Sequence, residues 1–338
     1  MKIIAKKSES ELRELFQATA FKMGIQPSII EKDFWVCYLL DHLFNDSQFK
    51  NDFVFKGGTS LSKAFHVIER FSEDIDLILD WTKLDYSKME PWKDRSKNQQ
   101  DKFNKELNAA AATYFKETLV PKLNEENEEK LGIVNSFQID DHDPMLIRFI
   151  YPVYFPDATQ YLRSYIQLEI GPIAEWTPSS EVEIAPFAVE YYPALFGQKS
   201  THVRTIDAER TFWEKITILH KIVHWPEGKP VSQRYARHLY DVYQMGHSEI
   251  KNKAFDKKNL LEKDVLFKEK FYYSKSAHYE SSTLKEVKLV PEGKIVSELR
   301  KDYENMKTMI YGEKPDFDDI IEYLKSLENE IHGLATQQ

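Results

Sequence analysis

The sequence predicts an α+β protein, in which a mixed sheet with helices is followed by a mainly helical C-terminal lobe. Residues 53–80 have the pattern strand, glycine turn, helix, strand. Residues 133–190 are rich in β-branched and aromatic side chains, and helical spacing of apolar residues dominates from Asp207 onward. The length of 338 residues suits two closely packed lobes, which we place at 1–200 and 201–338.

The N-terminal residues 8–50 have helical periodicity. Ser8 or Ser10 is placed to cap a first helix, and Pro27 is placed to begin a second one. The charged run Glu31-Lys32-Asp33 falls near the start of this second helix. Since acids are favourable near the positive end of a helix dipole, we expect this run to be a solvated first turn.

The next stretch begins with the short apolar run Phe53–Phe55, which ends at Gly57-Gly58. Glycine adopts positive φ without steric penalty, so the pair predicts a turn. Thr59 or Ser60 then offers a side-chain oxygen to cap a following helix. The apolar residues that predict this helix are Leu61, Ala64, Phe65 and Ile68.

After Arg70 the apolar period changes from helical spacing to two, which predicts a strand. Asp74 and Asp76 stand at i and i+2 of this strand. Their carboxylates would therefore share one face, with β-carbons about 7 Å apart. Such a pair suits a shared Mg²⁺, and free N–H groups at the glycine turn suit an anion. The simpler alternative is that the aspartates face solvent. The two faces carry Ile75, Leu77 and Leu79 on one side and Ser72, Asp74, Asp76 and Asp80 on the other.

Residues 81–131 change in character and are dominated by polar and charged side chains. Apolar residues recur among them at helical intervals, so we expect one or two long surface helices, inserted after the strand that carries the aspartates. Within 133–190, strands are expected at four segments, IVNSFQI, MLIRFIYPVYF, SYIQLEI and EVEIAPFAVEYY.

Bulk properties narrow the class of protein. The formal net charge of −9 argues against a general binder of nucleic-acid backbones, which is expected to be basic. Cys37 is the only cysteine, so no intrachain disulfide is expected, as suits a reducing cytoplasm. No stretch has the apolar length of a membrane span. We therefore expect a cytoplasmic protein that does not use a membrane.

One pair of histidines in a predicted helix has the spacing of a metal site. His220 and His224 stand at i and i+4, the ligand spacing of a zinc helix, but Lys221 stands where a metalloprotease needs its glutamate base. We therefore expect this pair to pack or to contact phosphate rather than bind zinc.

The strings FKGGTSLSKAF and ERFSEDIDLIL, taken together, resemble the AbiEii/AbiGii toxin family of nucleotidyltransferases, within the DNA polymerase β-like superfamily. Further similar strings are IEKD before an aromatic residue, an E-K pair at Lys215, R-x-x-Y-D at Asp241 and the C-terminal run from Leu289 to Met306. The interval between Gly58 and Asp74 is slightly longer than the usual superfamily spacing, and one extra helical turn would absorb it.

The resemblance implies a polymerase β-like fold and a set of active-site residues. Asp74 and Asp76 would hold Mg²⁺, and Glu169 would be the third carboxylate, from a neighbouring strand. Glu169 would either complete a two-metal site or assist a single metal electrostatically. Lys215 would neutralise charge on the triphosphate, and Asp241 would orient or deprotonate the acceptor. The residues that would cradle the phosphates are Gly57, Gly58, Thr59 and Ser60. The similarity of the IEKD string adds an alternative for residues 31–33, namely a packing or site-supporting role.

The resemblance also implies an activity and partners. The protein would transfer a nucleoside monophosphate from a nucleoside triphosphate, held in a cleft between the lobes, to an RNA such as tRNA or to a protein side chain. It would be the toxin of a type IV-like toxin–antitoxin or abortive-infection system active in phage defence, with an antitoxin encoded nearby. Two alternatives stay open: transfer to a small hydroxylated molecule, which the negative charge mildly favours over tRNA, and nucleotide binding without chemistry.

Overall fold

The structure is a computed structural model that describes residues 1–72, 74–156, 163–226 and 228–336. It divides into two compact units. The first unit comprises Met1–Ala64 and Ser72–Thr205, and the second comprises Phe65–Phe71 and the residues from Ile206 onward. The chain therefore enters the second unit briefly after residue 64 and returns to the first at residue 72.

The first unit contains the sheet. Its described residues form seven strands in the order β3-β4-β5-β2-β1-β7-β6. Pairing is antiparallel between β1 and β2, β3 and β4, and β4 and β5, and parallel between β2 and β5 and between β1 and β7, so the sheet is mixed. The strands are β1 Phe53–Lys56, β2 Asp74–Leu79, β3 Phe137–Ile139, β4 Leu146–Phe149, β5 Ile166–Gly171, β6 Ser179–Ile184 and β7 Thr201–Ile206.

Helices of the first unit share one core with this sheet. Phe53 and Phe55 of β1 and Ile75 and Leu77 of β2 belong to a buried cluster that also contains the apolar face of the second long helix, including Phe34. Period-two alternation in the strands thus gives the sheet an apolar face for helices to cover. The helices are α1 Lys2–Ala5, α2 Glu9–Met23, α3 Pro27–Asp41, α4 Gly57–Lys63, α5 Lys97–Tyr114, α6 Val120–Leu131 and α7 Phe187–Tyr191.

Three predictions for helices of the first unit are confirmed. Ser8 caps α2, its hydroxyl accepting from the Glu11 N–H, and α3 begins at Pro27. The polar insertion forms α5 and α6, joined by a π-helical turn at Phe115–Leu119.

Two other predictions are wrong. The segment PFAVEYY was expected to extend a strand, but β6 ends at Ile184 and helix α7 follows. The helix after the glycine turn was expected to run to Ile68, yet α4 ends at Lys63. The extra residues before Asp74 therefore do not lengthen the helix. Phe65–Phe71 instead belong to the second unit, where Arg70 forms a β-bridge with Ile310.

The second unit is helical. Helix α8 contacts α9, α10 and α11, and α9 also contacts α12 and α13. The apolar residues Leu239, Val242 and Met245 are buried, at the helical spacing seen in the sequence. The helices are α8 Ala208–Val223, α9 Ala236–Gly246, α10 Glu249–Asp256, α11 Asn259–Phe271, α12 Lys294–Met306 and α13 Phe317–Leu334. None of these or of the other described helices is long and apolar enough to cross a membrane.

Candidate active site

Strand β2 places the two predicted carboxylates on one face. Asp74 and Asp76 are partly exposed, whereas Ile75 and Leu77 between and beyond them are buried in the core. This is the alternation that the sequence predicts. The two carboxylates therefore lie on the side of the sheet away from the core cluster.

Gly57 lies directly against Asp76. Lys56 is the register partner of Asp76 across β1 and β2, so the chain turns into α4 immediately beside this carboxylate. The φ of Gly57 is +82°, and a Cβ built on it would be 1.8 Å from Asp76 Oδ2. Only a residue without a side chain fits here, because both the backbone conformation and the space require it.

Thr59 and Ser60 are used inside the fold. Neither hydroxyl caps α4, which was the prediction: the N-cap residue is Lys56, and no side chain caps the helix. The Thr59 hydroxyl donates to the main-chain carbonyl of Asp74, and the Ser60 hydroxyl donates to the carbonyl of Gly57 at 2.8 Å. Both side chains are buried. Thr59 thus fixes α4 to the first residue of the aspartate strand.

Glu169 stands beside Asp76 on the neighbouring parallel strand. The register of β2 and β5 pairs Asp76 with Glu169 and Asp74 with Gln167. Glu169 is exposed, and its Oε1 accepts from Gln167 Nε2 at 2.9 Å. A third carboxylate therefore does lie next to the pair, at the position that the resemblance implies.

An arginine that the sequence reasoning missed completes this group. Arg163 Nη1 donates to Asp74 Oδ1 at 3.3 Å and to Gln167 Oε1 at 2.6 Å. It precedes β5 by three residues, so its side chain reaches the same end of the sheet as Asp74. An arginine just before the strand with the third carboxylate was the only hint in the sequence.

The charged run on α3 is buried, so the expected solvated first turn is wrong. Glu31, Lys32 and Asp33 are each at most 3% exposed. Asp33 binds Lys63 at the end of α4, with 2.5 Å between Oδ1 and Nζ, and accepts from the Phe187 N–H at 2.7 Å. The alternative reading, a packing role, is what the structure has: the run joins α3 to α4 and α7.

The donors at Asp74 and Asp76 fit Mg²⁺. Among the described residues no group of three or more His, Cys, Asp or Glu side chains could hold a metal by itself. Mg²⁺ usually binds one or two carboxylates and completes its shell with water and substrate phosphates. Two carboxylates on one strand face, with the side-chain-free backbone of Gly57 against one of them, match that requirement.

Lys215 and Asp241 meet inside the second unit. Asp241 is fully buried, and its Oδ2 accepts from Lys215 Nζ at 2.7 Å. Arg70 binds both oxygens of the same carboxylate, at 2.7 and 2.8 Å. Arg70 was not predicted, because its partner is 171 residues away in the sequence. The three side chains form one buried charged network.

The charges in this network set the protonation of its members. Burial alone would raise the pKa of Asp241, but Arg70 and Lys215 hold it well below the ordinary aspartate value. Burial lowers the pKa of Lys215, and the charge of Arg70 adds to this, while Asp241 opposes it. A buried carboxylate of such low basicity is poorly suited to take a proton from an acceptor.

The side chain of His220 is bonded within the fold. It is buried, its Nδ1 accepts from the Lys288 N–H at 3.0 Å, and its Nε2 lies 3.0 Å from the carbonyl of His278. Both ring nitrogens are thus engaged with main-chain groups. His224 packs on His220, with 4.4 Å between ring centroids.

The model of the family described as "Nucleotidyl transferase AbiEii toxin, Type IV TA system" matches residues 38–323. No curated protein sequence is significantly similar to the chain. A solved structure, MenT4, a nucleotidyltransferase toxin from Mycobacterium tuberculosis H37Rv, is similar at 16% identity and a TM-score of 0.40, covering 94% of this chain and 98% of its own. The family match spans most of the chain, and the protein therefore belongs to the AbiEii nucleotidyltransferase toxins of type IV toxin–antitoxin systems.

Proposed function

We propose that this nucleotidyltransferase is Mg²⁺-dependent and transfers a nucleoside monophosphate from a nucleoside triphosphate to an RNA, with tRNA as the first acceptor to test. The observation that carries the proposal is the position of Asp76, which has Gly57 against its carboxylate and Glu169 as its neighbour on β5. A carboxylate pair beside open backbone suits a metal that arrives with a phosphate chain.

In this proposal the residues of the first unit have different roles in binding the metal and the phosphates. Asp74 and Asp76 hold Mg²⁺, which when bound polarises the phosphate and favours the ionised acceptor hydroxyl. Glu169 adds negative charge beside Asp76. The phosphates approach the main chain at Gly57 and Gly58, since the hydroxyls of Thr59 and Ser60 are bonded within the fold.

The reaction forms a phosphate ester bond and breaks a phosphoanhydride bond. The acceptor hydroxyl oxygen attacks the α-phosphorus and loses its proton, the bond from the α-phosphorus to the bridging oxygen breaks, and pyrophosphate leaves. The residues that the family pattern assigns in addition, Lys215 and Asp241, are bonded to each other. We propose that Asp241 positions the Lys215 ammonium rather than acting as a base, because its pKa is low and it has no exposed surface.

A second acceptor class has one observation in its favour. The net charge of −9 is unfavourable for a general tRNA surface and compatible with a small hydroxylated acceptor. As a toxin of its family, the protein is also proposed to have a cognate antitoxin and a role in abortive infection and phage defence.

The test is transfer of label from each α-³²P nucleoside triphosphate with Mg²⁺, total cellular RNA and cell protein, resolved on denaturing gels. We expect a labelled tRNA-sized band that chelation removes. Asp74→Asn and Asp76→Asn should each reduce transfer by more than about 100-fold. Full activity in both variants would remove the site, and label on protein or on a small molecule would replace the acceptor.

Asp80→Asn is the matched control. Asp80 follows β2 at even spacing from Asp76, but its carboxylate caps the next turn, accepting from the Thr82 N–H at 2.9 Å through Oδ1. Asparagine keeps that oxygen, so transfer should stay at the wild-type rate. A loss equal to that of Asp76→Asn would show that any change of charge on this face is sufficient.

A further inference from the structure

One guanidinium group lies against the proposed metal carboxylates. Arg163 donates through Nη1 to Asp74 at 3.3 Å and to Gln167 at 2.6 Å, and Gln167 in turn donates to Glu169 at 2.9 Å. The side chain of Arg163 keeps 36% of its surface exposed. The guanidinium thus lies beside the carboxylate group, and part of the side chain is accessible to solvent.

A buried lysine binds the backbone carbonyl of Arg163. Lys32 is 1% exposed, and its Nζ donates to the Arg163 carbonyl at 2.9 Å. Its neighbour Glu31 accepts from the N–H groups of Tyr154 and Phe155, at 2.7 and 3.1 Å. Burying a charge is unfavourable unless it is well bonded, so the placement of Lys32 under this carbonyl is a specific arrangement. It fixes where the arginine side chain begins.

The ion pair itself gives the fold little. A partly exposed Arg–Asp pair contributes at most about 1 kcal/mol, because solvent screens both charges. An arginine beside a metal carboxylate has another use. A phosphate chain that arrives with the metal offers oxygens that match the fork of N–H donors of the guanidinium, next to the carboxylate that the metal takes.

We propose that Arg163 binds the phosphate chain of the incoming nucleoside triphosphate, with Asp74 as its partner before the nucleotide binds and Lys32 as its positioning residue. This inference rests on the proposed function and adds a nucleotide-binding residue outside the family strings quoted above. It also predicts opposite effects on two ligands, because the same guanidinium competes with the metal for Asp74 and assists the nucleotide.

The test compares Arg163→Gln with wild type for two ligands. The first ligand is Mn²⁺ alone, whose binding is measured by electron paramagnetic resonance. The second is each of the four α,β-methylene nucleoside triphosphates, bound together with Mn²⁺. These analogues cannot transfer their α-phosphate. We expect nucleotide affinity to fall by about tenfold or more. Affinity for Mn²⁺ alone should stay the same or rise by up to about fivefold, because a competing cation is gone.

Arg148→Gln is the matched control. Arg148 lies on β4, next to β5, is 31% exposed and pairs with Asp140 instead of Asp74. Neither affinity should change. If it lowers nucleotide affinity as much as Arg163→Gln, general positive charge explains the effect, and the proposal is overturned.

Two further outcomes overturn the proposal. One is wild-type nucleotide affinity in Arg163→Gln, and the other is an equal loss of affinity for Mn²⁺ alone, which would indicate a structural role for the arginine. Failure of the proposed function is seen separately, since the wild-type protein would then bind none of the four analogues.

Lys32 is tested through Arg163. Lys32→Met keeps most of the buried stem and removes the ammonium that holds the Arg163 carbonyl. We expect it to weaken nucleotide binding in the wild-type background and to have little effect in Arg163→Gln, since residues that act through one contact are not additive. Equal losses in both backgrounds would exclude the positioning role.

Discussion

Asp76 Oδ2 occupies the space that a side chain on Gly57 would need, since a Cβ there would be 1.8 Å from it. The glycine is required by its neighbour as well as by its own φ of +82°. The glycine turn and the aspartate strand are therefore one structural unit, in which a change at Gly57 must displace a carboxylate.

Gly57→Ala should therefore destabilise the protein by roughly 3 kcal/mol, from positive-φ strain and the forced shift of Asp76. Transfer should fall as in Asp76→Asn. Urea unfolding and the transfer assay measure the two effects. Gly132→Ala is the control, because Gly132 has φ of +71° and nothing within 4 Å of a built Cβ. It should lose only about 1 kcal/mol and keep its activity; equal losses in both variants would contradict the contact argument.

Asp241→Asn should be more destabilising than Lys215→Met. The first change leaves Arg70 and Lys215 buried without their shared carboxylate, at a cost of about 3–5 kcal/mol. The second leaves Asp241 still bound through both oxygens to Arg70. Lys215→Met should lose transfer although it remains folded. Urea unfolding at neutral pH gives the order of stability, and the reverse order would show that Lys215 is the main partner of Asp241.

Asp33→Asn should cost about 3–5 kcal/mol of unfolding free energy, because it leaves the buried Lys63 ammonium without its anion. The comparison is Asp101→Asn, which breaks an exposed pair with Lys105 and should change stability little. Chemical denaturation of the two variants separates these outcomes. If both behave alike, the buried pair does not hold α4 against α3.

His220 should make stability depend on pH between 6.5 and about 4. Burial, together with the nearby charges of other histidines, lowers its pKa from 6.5 to about 4. As pH falls through this window the unfolded chain takes up the proton first, so the stability that neutral His220 provides is lost. The loss is on the order of 3 kcal/mol.

The measurement for His220 is the free energy of unfolding of wild type and His220→Asn at several pH values. Asparagine offers an acceptor for the Lys288 N–H but does not titrate in this range. The advantage of wild type over the variant should shrink as pH falls from 6.5 to 4. A constant difference would show that His220 is not the titrating group.

Local patterns carried much of the fold prediction. Period-two alternation alone placed Asp74 and Asp76 on one face of β2, and the resemblance placed Glu169 on a neighbouring strand, where it is the register partner of Asp76. Helical spacing was misleading after Lys63. Helix α4 ends there, and the apolar residues Phe65 and Ile68 belong to the second unit instead of continuing the helix.

Local patterns could not predict which charged side chains are buried. Glu31, Lys32 and Asp33 look like a solvated turn until their partners are known, and those partners lie 30 to 154 residues away. Arg70 and Arg163 were missed for the same reason. A single sequence gives the chemistry of each side chain but not the distant carboxylate or carbonyl that makes its burial favourable.

The brief passage of Phe65–Phe71 through the second unit affects how the protein can be made and divided. A ribosome completes the glycine turn and the aspartate strand early, but Arg70 must wait for Asp241, 171 residues later. A fragment that stops near residue 200 would carry this segment without the helices that bury it. Segment Phe65–Phe71 therefore acquires its native ion pair only after the chain has been made beyond Asp241.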